Sequence, residues 1–262
     1  MVDDSCQFDW CNRSFQSPSL RDYHMEDHPE ESECVNCPEC SSTYTRSSLG
    51  QHFRHNPEHR PKITNEQNEI IIGLLLGDGT IPSVSGEREC SMVITMTNKS
   101  FLQWLEKEMG WLVSTNVYLQ RSAQESAQHA YDVGLVDSKG GDYSDNWAVR
   151  LRSHPKFTEL RQWFYGENGR EIQADTPITP TTAKIWYACD GGLLKHSHAQ
   201  WCMQISSRTQ DLDLIAELFT KAGFKPGKHG DHSVQFGVDE TKRLLNWMGE
   251  PLPGFESKWR LD

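Results

Sequence analysis

Two aspartates in this chain are placed alike. Asp78 closes the apolar run Ile70–Gly79, IIIGLLLGDG, and Asp190 closes Ala183–Gly191, AKIWYACDG. Each run begins in the manner of a helix. Thr64 stands three residues before Gln67, the spacing of a capping box. Thr179 suits an N-cap, with Pro180 at the first helical position. Two apolar helices of this kind pack on each other rather than stay in water, Gly73 and Gly77 letting the backbones come close. Asp78 and Asp190 then stand side by side. Paired carboxylates with no cation near them in sequence repel each other unless a divalent metal holds them, and two such ions can drive hydrolysis.

A second constellation is built for a softer metal. Five of the eight cysteines fall in the first 40 residues, at metal-ligand intervals, which argues for zinc rather than disulfides. Cys6, Cys11, His24 and His28 have the spacing of a two-Cys/two-His zinc finger, with Phe15 at its core aromatic position and Ser17-Pro18 opening its helix. Cys37 and Cys40 are followed by Tyr44, Leu49 and His52 in the same order, although the gap to His52 is one residue short. The fourth ligand there is His55 or His59, and Cys34 offers a competing pair with Cys37; the reading taken is Cys37, Cys40, His52 and His55. Modules this small need the metal to fold. Counting back from the first zinc histidine, the base-reading positions are Thr45, Ser48 and Gln51 in the second finger. In the first they are Ser17, Leu20 and Tyr23, in an acidic setting poor for DNA.

The two aspartate runs resemble the paired motifs of LAGLIDADG homing endonucleases in their single-chain form. IIGLLLGDG keeps the glycine at its third position and the closing Asp-Gly, while AKIWYACDG is similar to the second-copy variant with WY before the acidic pair. That second copy departs from the pattern: Ile185 replaces the packing glycine and Cys189 the first acid. The resemblance covers residues 62–262. It implies an α+β fold, two pseudo-symmetric halves forming a saddle of antiparallel strands that lies along the DNA major groove. It further implies a monomer with an internal pseudo-two-fold axis, double-stranded DNA as partner, and metal-dependent cutting of both strands at a long, pseudo-palindromic site with Mg2+ or Mn2+. Asp78 and Asp190 would hold the metal together with the carbonyls of Gly77 and Cys189. Arg170, in NGREI, and Lys258, in ESKWRL, would be the basic residues around the site. Arg170 stands where lysine is usual; it keeps the charge and cannot act as a base.

Base contacts would come from Thr95, Thr97, Arg150 and Arg152 in the first half and from Gln204, Ser206 and Arg208 in the second. Two rivals differ in consequence. One is a nucleic-acid-binding protein of the same fold without cleavage, an RNA maturase or transcription regulator; retention of both aspartates speaks against it. The other is a zinc-finger interaction protein whose remaining residues are only structural.

The elements that must position these residues follow from periodicity and turn residues. The chain divides into finger one at 1–30, finger two at 31–60, a first half at 61–176 and a second at 177–262. In the first half, strands are expected over 90–98, 111–121, 131–136 and 146–152, with helices over 99–109 and 156–165. In the second, a loop is expected over 195–198, strands over 200–206, 224–228 and 233–238, and helices over 211–222 and 239–247.

Composition bounds the rest. A chain of 262 residues has ample core for such a fold. Its net charge of −11 is unusual for a DNA-binding protein. Residues 1–61 hold 5 basic and 11 acidic side chains, residues 62–176 hold 11 and 16, and residues 177–262 hold 10 and 10. The balance fits an acidic outer face with cations gathered on the binding face, or adaptation to high salt. No run reaches the length of a membrane span and the N-terminus is not a signal peptide, so a soluble intracellular protein without a membrane partner is expected.

Overall fold

The computed structural model describes residues 34–261 except 87, 135–141, 168, 197–199, 208–210 and 230, together with residues 6, 8, 11 and 21. The metal-ligand module begins with a short hairpin, β1 (Cys34–Asn36) and β2 (Thr43–Thr45), followed by α1 (Arg46–His55). Beyond it lie two α+β repeats. The first runs α2 (Asn65–Leu76), β3 (Gly79–Thr80), β4 (Met92–Met96), α3 (Lys99–Met109), β5 (Val113–Arg121), α4 (Ala123–Asp132), β6 (Asn146–Leu151), α5 (Pro155–Phe164) and the hairpin β7 (Tyr165–Gly166) and β8 (Gly169–Arg170). The second runs α6 (Pro180–Asp190), β9 (Gly191–His196), β10 (Gln200–Ser206), α7 (Leu212–Lys221), β11 (Pro226–His229), β12 (Ser233–Phe236) and α8 (Val238–Met248).

The two main sheets are antiparallel and have matching strand orders, β3-β4-β6-β5 and β9-β10-β12-β11. One apolar face of each is covered by helices. Met92, Ile94 and Met96 alternate with Val93 and Thr95 along β4, so only the first set is buried. One continuous core spans both repeats, with Trp186, Tyr187, Phe101, Phe157 and Phe219 among its fully buried side chains. Among the described residues no helix is long and apolar enough to cross a membrane.

Both motif helices start as their sequences require. The Thr64 hydroxyl accepts the Gln67 N–H while the Gln67 side chain accepts the Thr64 N–H, a complete capping box. Thr179 caps α6 through the Thr182 N–H, with Pro180 behind it. The helices meet at their glycines. A Cβ on Gly73 would lie 2.7 Å from the Ile185 Cβ, and one on Gly77 would lie 2.4 Å from the Cys189 Cβ. Ile185 therefore fills the hollow that Gly73 leaves, so this crossing needs a glycine from one helix only. The Thr182 hydroxyl adds a bond to the Glu69 carbonyl, 3.3 Å across the same crossing.

Two expected elements differ. The strand expected over 131–136 is not formed by its described residues. Ser122 and Glu125 make a reciprocal capping box, which starts α4 and carries the chain as helix to Asp132. The segment expected as a loop over 195–198 begins inside β9, which pairs with β10 from Gly191 to His196. The preceding glycines conceal that strand in the sequence.

Candidate active site

The acidic residues occupy different local positions. Helix α2 stops at Leu76, Gly77 is its C-cap, and Asp78 lies beyond. Helix α6 runs through Asp190 and is capped by Gly191. Both carboxylates thus stand at the C-terminal end of a helix, where its partial negative charge makes an unfavourable place for an anion. Burial and then the charge of Asp78 push the Asp190 carboxyl up to about 6, against the pull of Arg170 and Lys258. The Asp78 residue is open to solvent on one side, yet protein atoms crowd its carboxylate elsewhere, and that desolvation raises it. A bond from the Cys189 thiol and the charges of Lys258 and Arg170 act in the opposite sense.

Cys189 is a hydrogen-bond donor at this point. Burial, and then the neighbouring Asp78 charge, hold its thiol protonated. Its Sγ stands beside Gly77 and its thiol reaches the Asp78 carboxylate, so it ties the ends of the two helices together. Lys258 closes the end of α6. Its Nζ donates to the Ala188 carbonyl at 2.6 Å and to the Tyr187 carbonyl at 3.4 Å, while the Tyr187 hydroxyl donates to the Lys258 carbonyl at 2.8 Å. Burial pushes the Lys258 ammonium down, opposed by Cys189, Asp78 and Asp190. Arg170, on β8, donates to the Gly79 carbonyl at 2.7 Å, immediately beyond Asp78. Two acids and two cations are therefore gathered from four separate stretches of chain. The acidic oxygens suit a hard divalent cation, whose charge would relieve the repulsion that raises Asp190.

Among the described residues, one group of His, Cys and carboxylate side chains has the compactness of a complete metal site: Cys37, Cys40, His52 and His59, with ligand atoms all within 4.8 Å of one another. His59, not His55, completes it. Pro57 ends α1, and the short 3-10 turn Pro57–His59 brings the second ring back to 5.1 Å from that of His52, while His55 is exposed. Cys34 lies in β1 outside the group. Cys40 Sγ is 3.7 Å from His52 Nε2, and His59 Nδ1 is 3.1 Å from the same nitrogen. Tetrahedral zinc ligands stand roughly 3.3–3.8 Å apart at ordinary bond lengths, so the set fits zinc. Asn56 lies 3.1 Å from His52 Nδ1 and orients the ring from behind. The other four-ligand set cannot be followed: Cys6 and Cys11 are described, while His24 and His28 lie outside the described residues.

The residues expected to read bases divide into two groups. Thr95 and Arg150 lie on the open face of the first sheet, bonded to Gln120 and to the Tyr118 hydroxyl respectively. Thr97 is exposed just past β4. Gln204 and Ser206 lie on the corresponding face of the second sheet, opposite Gln235 and Ser233. Arg208 is outside the described residues. Tyr118, Gln120 and Gln235 share these faces and were missed, although their period-two spacing marks them.

Arg152 does not face outward. It is 7% exposed and donates to the carbonyls of Trp111, Val113 and Arg46. Desolvation, and then Arg46, lower it to about 10. In α1, Thr45 is the N-cap, accepting the Ser48 N–H, and its hydroxyl lies 2.8 Å from that of Ser48; Gln51 is exposed.

The profile of the LAGLIDADG DNA endonuclease family matches residues 68–244. The fold is similar to that of the homing endonuclease I-WcaI bound to its DNA recognition sequence, with a TM-score of 0.65 at 15% identity, covering 80% of this chain and 92% of that one. Weaker likenesses are to the N-terminal LAGLIDADG domain of DUF199/WhiA (TM-score 0.41, 9% identity, 86% and 100% covered) and to the meganuclease I-SmaMI bound to uncleaveable DNA (0.43, 10%, 75% and 88%).

Proposed function

The chain belongs to the LAGLIDADG DNA endonuclease family, and on that footing we propose that it is a site-specific homing endonuclease that cuts both strands of a long, pseudo-palindromic duplex. We assign residues 61–176 and 177–262 to two halves, each facing one half-site, within a monomer carrying both motifs. The observation that carries this reading is the acidic pair: Asp78 and Asp190 stand at the ends of two crossed helices, close enough for one to raise the other.

Asp78 and Asp190 would hold Mg2+ or Mn2+, with the carbonyls of Gly77 and Cys189 as further oxygen donors. Such a cation, when bound, neutralises the charge developing on the phosphate and lowers the pKa of water. The protein's own groups do the rest. Cys189 fixes the Asp78 carboxylate through its thiol. Lys258 and Arg170 bring positive charge to the phosphate oxygens, Arg170 as a permanent cation. The open faces of the two sheets supply the polar side chains, Thr95, Arg150, Gln204 and Ser206 among them, that sort bases in the major groove.

Zinc in the Cys37, Cys40, His52 and His59 set would be structural, since four protein ligands leave no open position. The decisive experiment places Asp78→Asn and Asp190→Asn beside the wild type, on a target selected from a randomised duplex library, with magnesium. Loss of cutting with binding retained is expected. Binding without any cutting by the wild type would leave a nucleic-acid-binding protein instead.

A further inference from the structure

The metal-ligand module does not hang on a free linker. Its helix α1 is fastened to the first repeat at three points. Phe53 meets the Trp111 ring edge-on at 5.8 Å. The buried Arg152 guanidinium joins the Arg46 carbonyl of α1 to the Trp111 and Val113 carbonyls at the start of β5, and Gly50 leaves room for it, since a Cβ there would lie 3.1 Å from its Nη1. The Arg46 side chain pairs with Glu106 of α3 at 3.0 Å.

Glu106 makes the connection informative. Its second oxygen accepts the Val117 N–H at 3.2 Å. Val117 lies where the register of β5 against β6 shifts, between Thr115 and Tyr118, so its N–H is taken by a carboxylate rather than by the ladder. Beside this irregularity is an open hollow of about 550 Å³ lined by Thr115, Asn116, Val117, Tyr118 and Arg150. Here Tyr118 and Arg150 bond to each other on the sheet face assigned above to base recognition.

We propose that the module, acting through Arg46, Glu106 and Arg152, sets the bend of β5 and so the base preference of the first half-site, as a positioning element rather than a base reader. Of the three positions expected to read bases in this module, Thr45 and Ser48 are engaged in capping α1 and Gln51 alone is exposed. The second sheet has its own arrangement at β11 among the described residues: the strand packs on α7 and β12, and Glu240 of α8, whose carboxylate accepts the Lys225 N–H just before the strand, pairs with Arg243 of the same helix rather than with the module. Its base preference is therefore independent of the module. The inference rests on the endonuclease reading, because it takes the open sheet faces as the surface that meets DNA.

The test selects bound sequences from a randomised duplex library with the full zinc-loaded chain, as wild type, Arg46→Met, Glu106→Gln and Arg46→Lys. Zinc content and amide hydrogen exchange are measured on the same samples. Arg46→Met and Glu106→Gln are expected to lower discrimination in the first half-site roughly tenfold. The second half-site and zinc content stay unchanged, the Val117 amide exchanges faster, and Arg46→Lys restores much of the preference. Should a variant fold poorly, chelating zinc from the wild type is expected to relax the same half-site. Unchanged first-half preference in a zinc-loaded Arg46→Met protein overturns the inference alone. A shift in preference from Gln51→Ala with Arg54→Ala also overturns it, since the module would then be reading bases. A wild type that selects no sequence sinks the endonuclease reading and this inference with it.

Discussion

The first and second repeats share strand order and helix crossing, and they part company at the ends of those elements. Helix α2 releases the chain at Gly77, so Asp78 stands beyond it on irregular backbone; helix α6 keeps Asp190 in its last turn. At the crossing, Gly73 and Gly77 face Ile185 and Cys189. Around the sheets, the first repeat carries a docked module and the added helix α4, whereas only residues 230–232 separate β11 from β12 in the second. Pseudo-symmetry is thus kept where the halves must pack on each other and relaxed where each meets its own surroundings. A crossing of two helices needs complementary volumes rather than identical ones, so a large residue opposite a glycine serves as well as two small ones.

The largest expected effect breaks the equivalence of the acids. Asp78→Asn and Asp190→Asn should each lower double-strand cutting by about 10³-fold or more, the scale of losing a group that stabilises developing charge. A plasmid assay resolves whether each variant still nicks, and which strand. On the proposed reading each acid serves the cutting of one strand, so nicks left in the same strand by both variants would overturn it.

Next comes the crossing. Ile185→Gly removes a fully buried side chain from α6 and adds a glycine to the helix interior. It should cost roughly 3–5 kcal/mol by denaturant unfolding. Gly73→Ala forces a Cβ against Ile185 and should cost about 1–3 kcal/mol. Combined, the two changes should cost less than their sum, because each relieves the other's volume error. Strict additivity would show that the halves are not coupled at this point.

The acid pair also has a pH signature in the metal-free protein. Asp190 is raised to about 6 in the fold, above the ordinary aspartate value of about 3.9. Between those values the folded state binds more protons than the unfolded one, so stability falls as pH rises from about 4 to about 6 and levels off above. The loss should be roughly 2 kcal/mol after allowing for partial solvation. Magnesium should recover much of it at pH 7 and little at pH 4, as thermal midpoints measured with and without the ion would report. Equal stabilisation at both pH values would place the ion elsewhere.

The smallest effect tests Cys189 against the acid that the resemblance leads one to expect there. Cys189→Ser keeps a donor beside Asp78, whereas Cys189→Ala removes it and should cost about 1 kcal/mol of stability. A Cys189→Ala protein as stable as Cys189→Ser would assign the thiol to packing alone.

How much was legible can be followed residue by residue. The caps at Thr64 and Thr179 are local: each needs a hydroxyl and a nearby N–H, so spacing in the chain suffices. The period of two along β4 reports its buried face directly. Tyr131 and Val133 read as strand because their side chains are β-prone, yet the Ser122–Glu125 box upstream carried the helix to Asp132. Arg152 looked like a base reader because alternation along β6 suggested it. Its burial depends on Arg46, Trp111 and Val113, and no spacing rule joins it to Arg46.

The chain by itself determined the two capped apolar helices, the acid that closes each, and the alternating strands that follow, because hydrogen bonds and periodicity within a few residues specify them. Only the folded molecule decided that His59 joins His52, that Gly73 receives Ile185, and that Arg152 faces inward. Those outcomes turn on which distant surfaces fit in volume and charge, a matter of close packing between elements that no local pattern encodes.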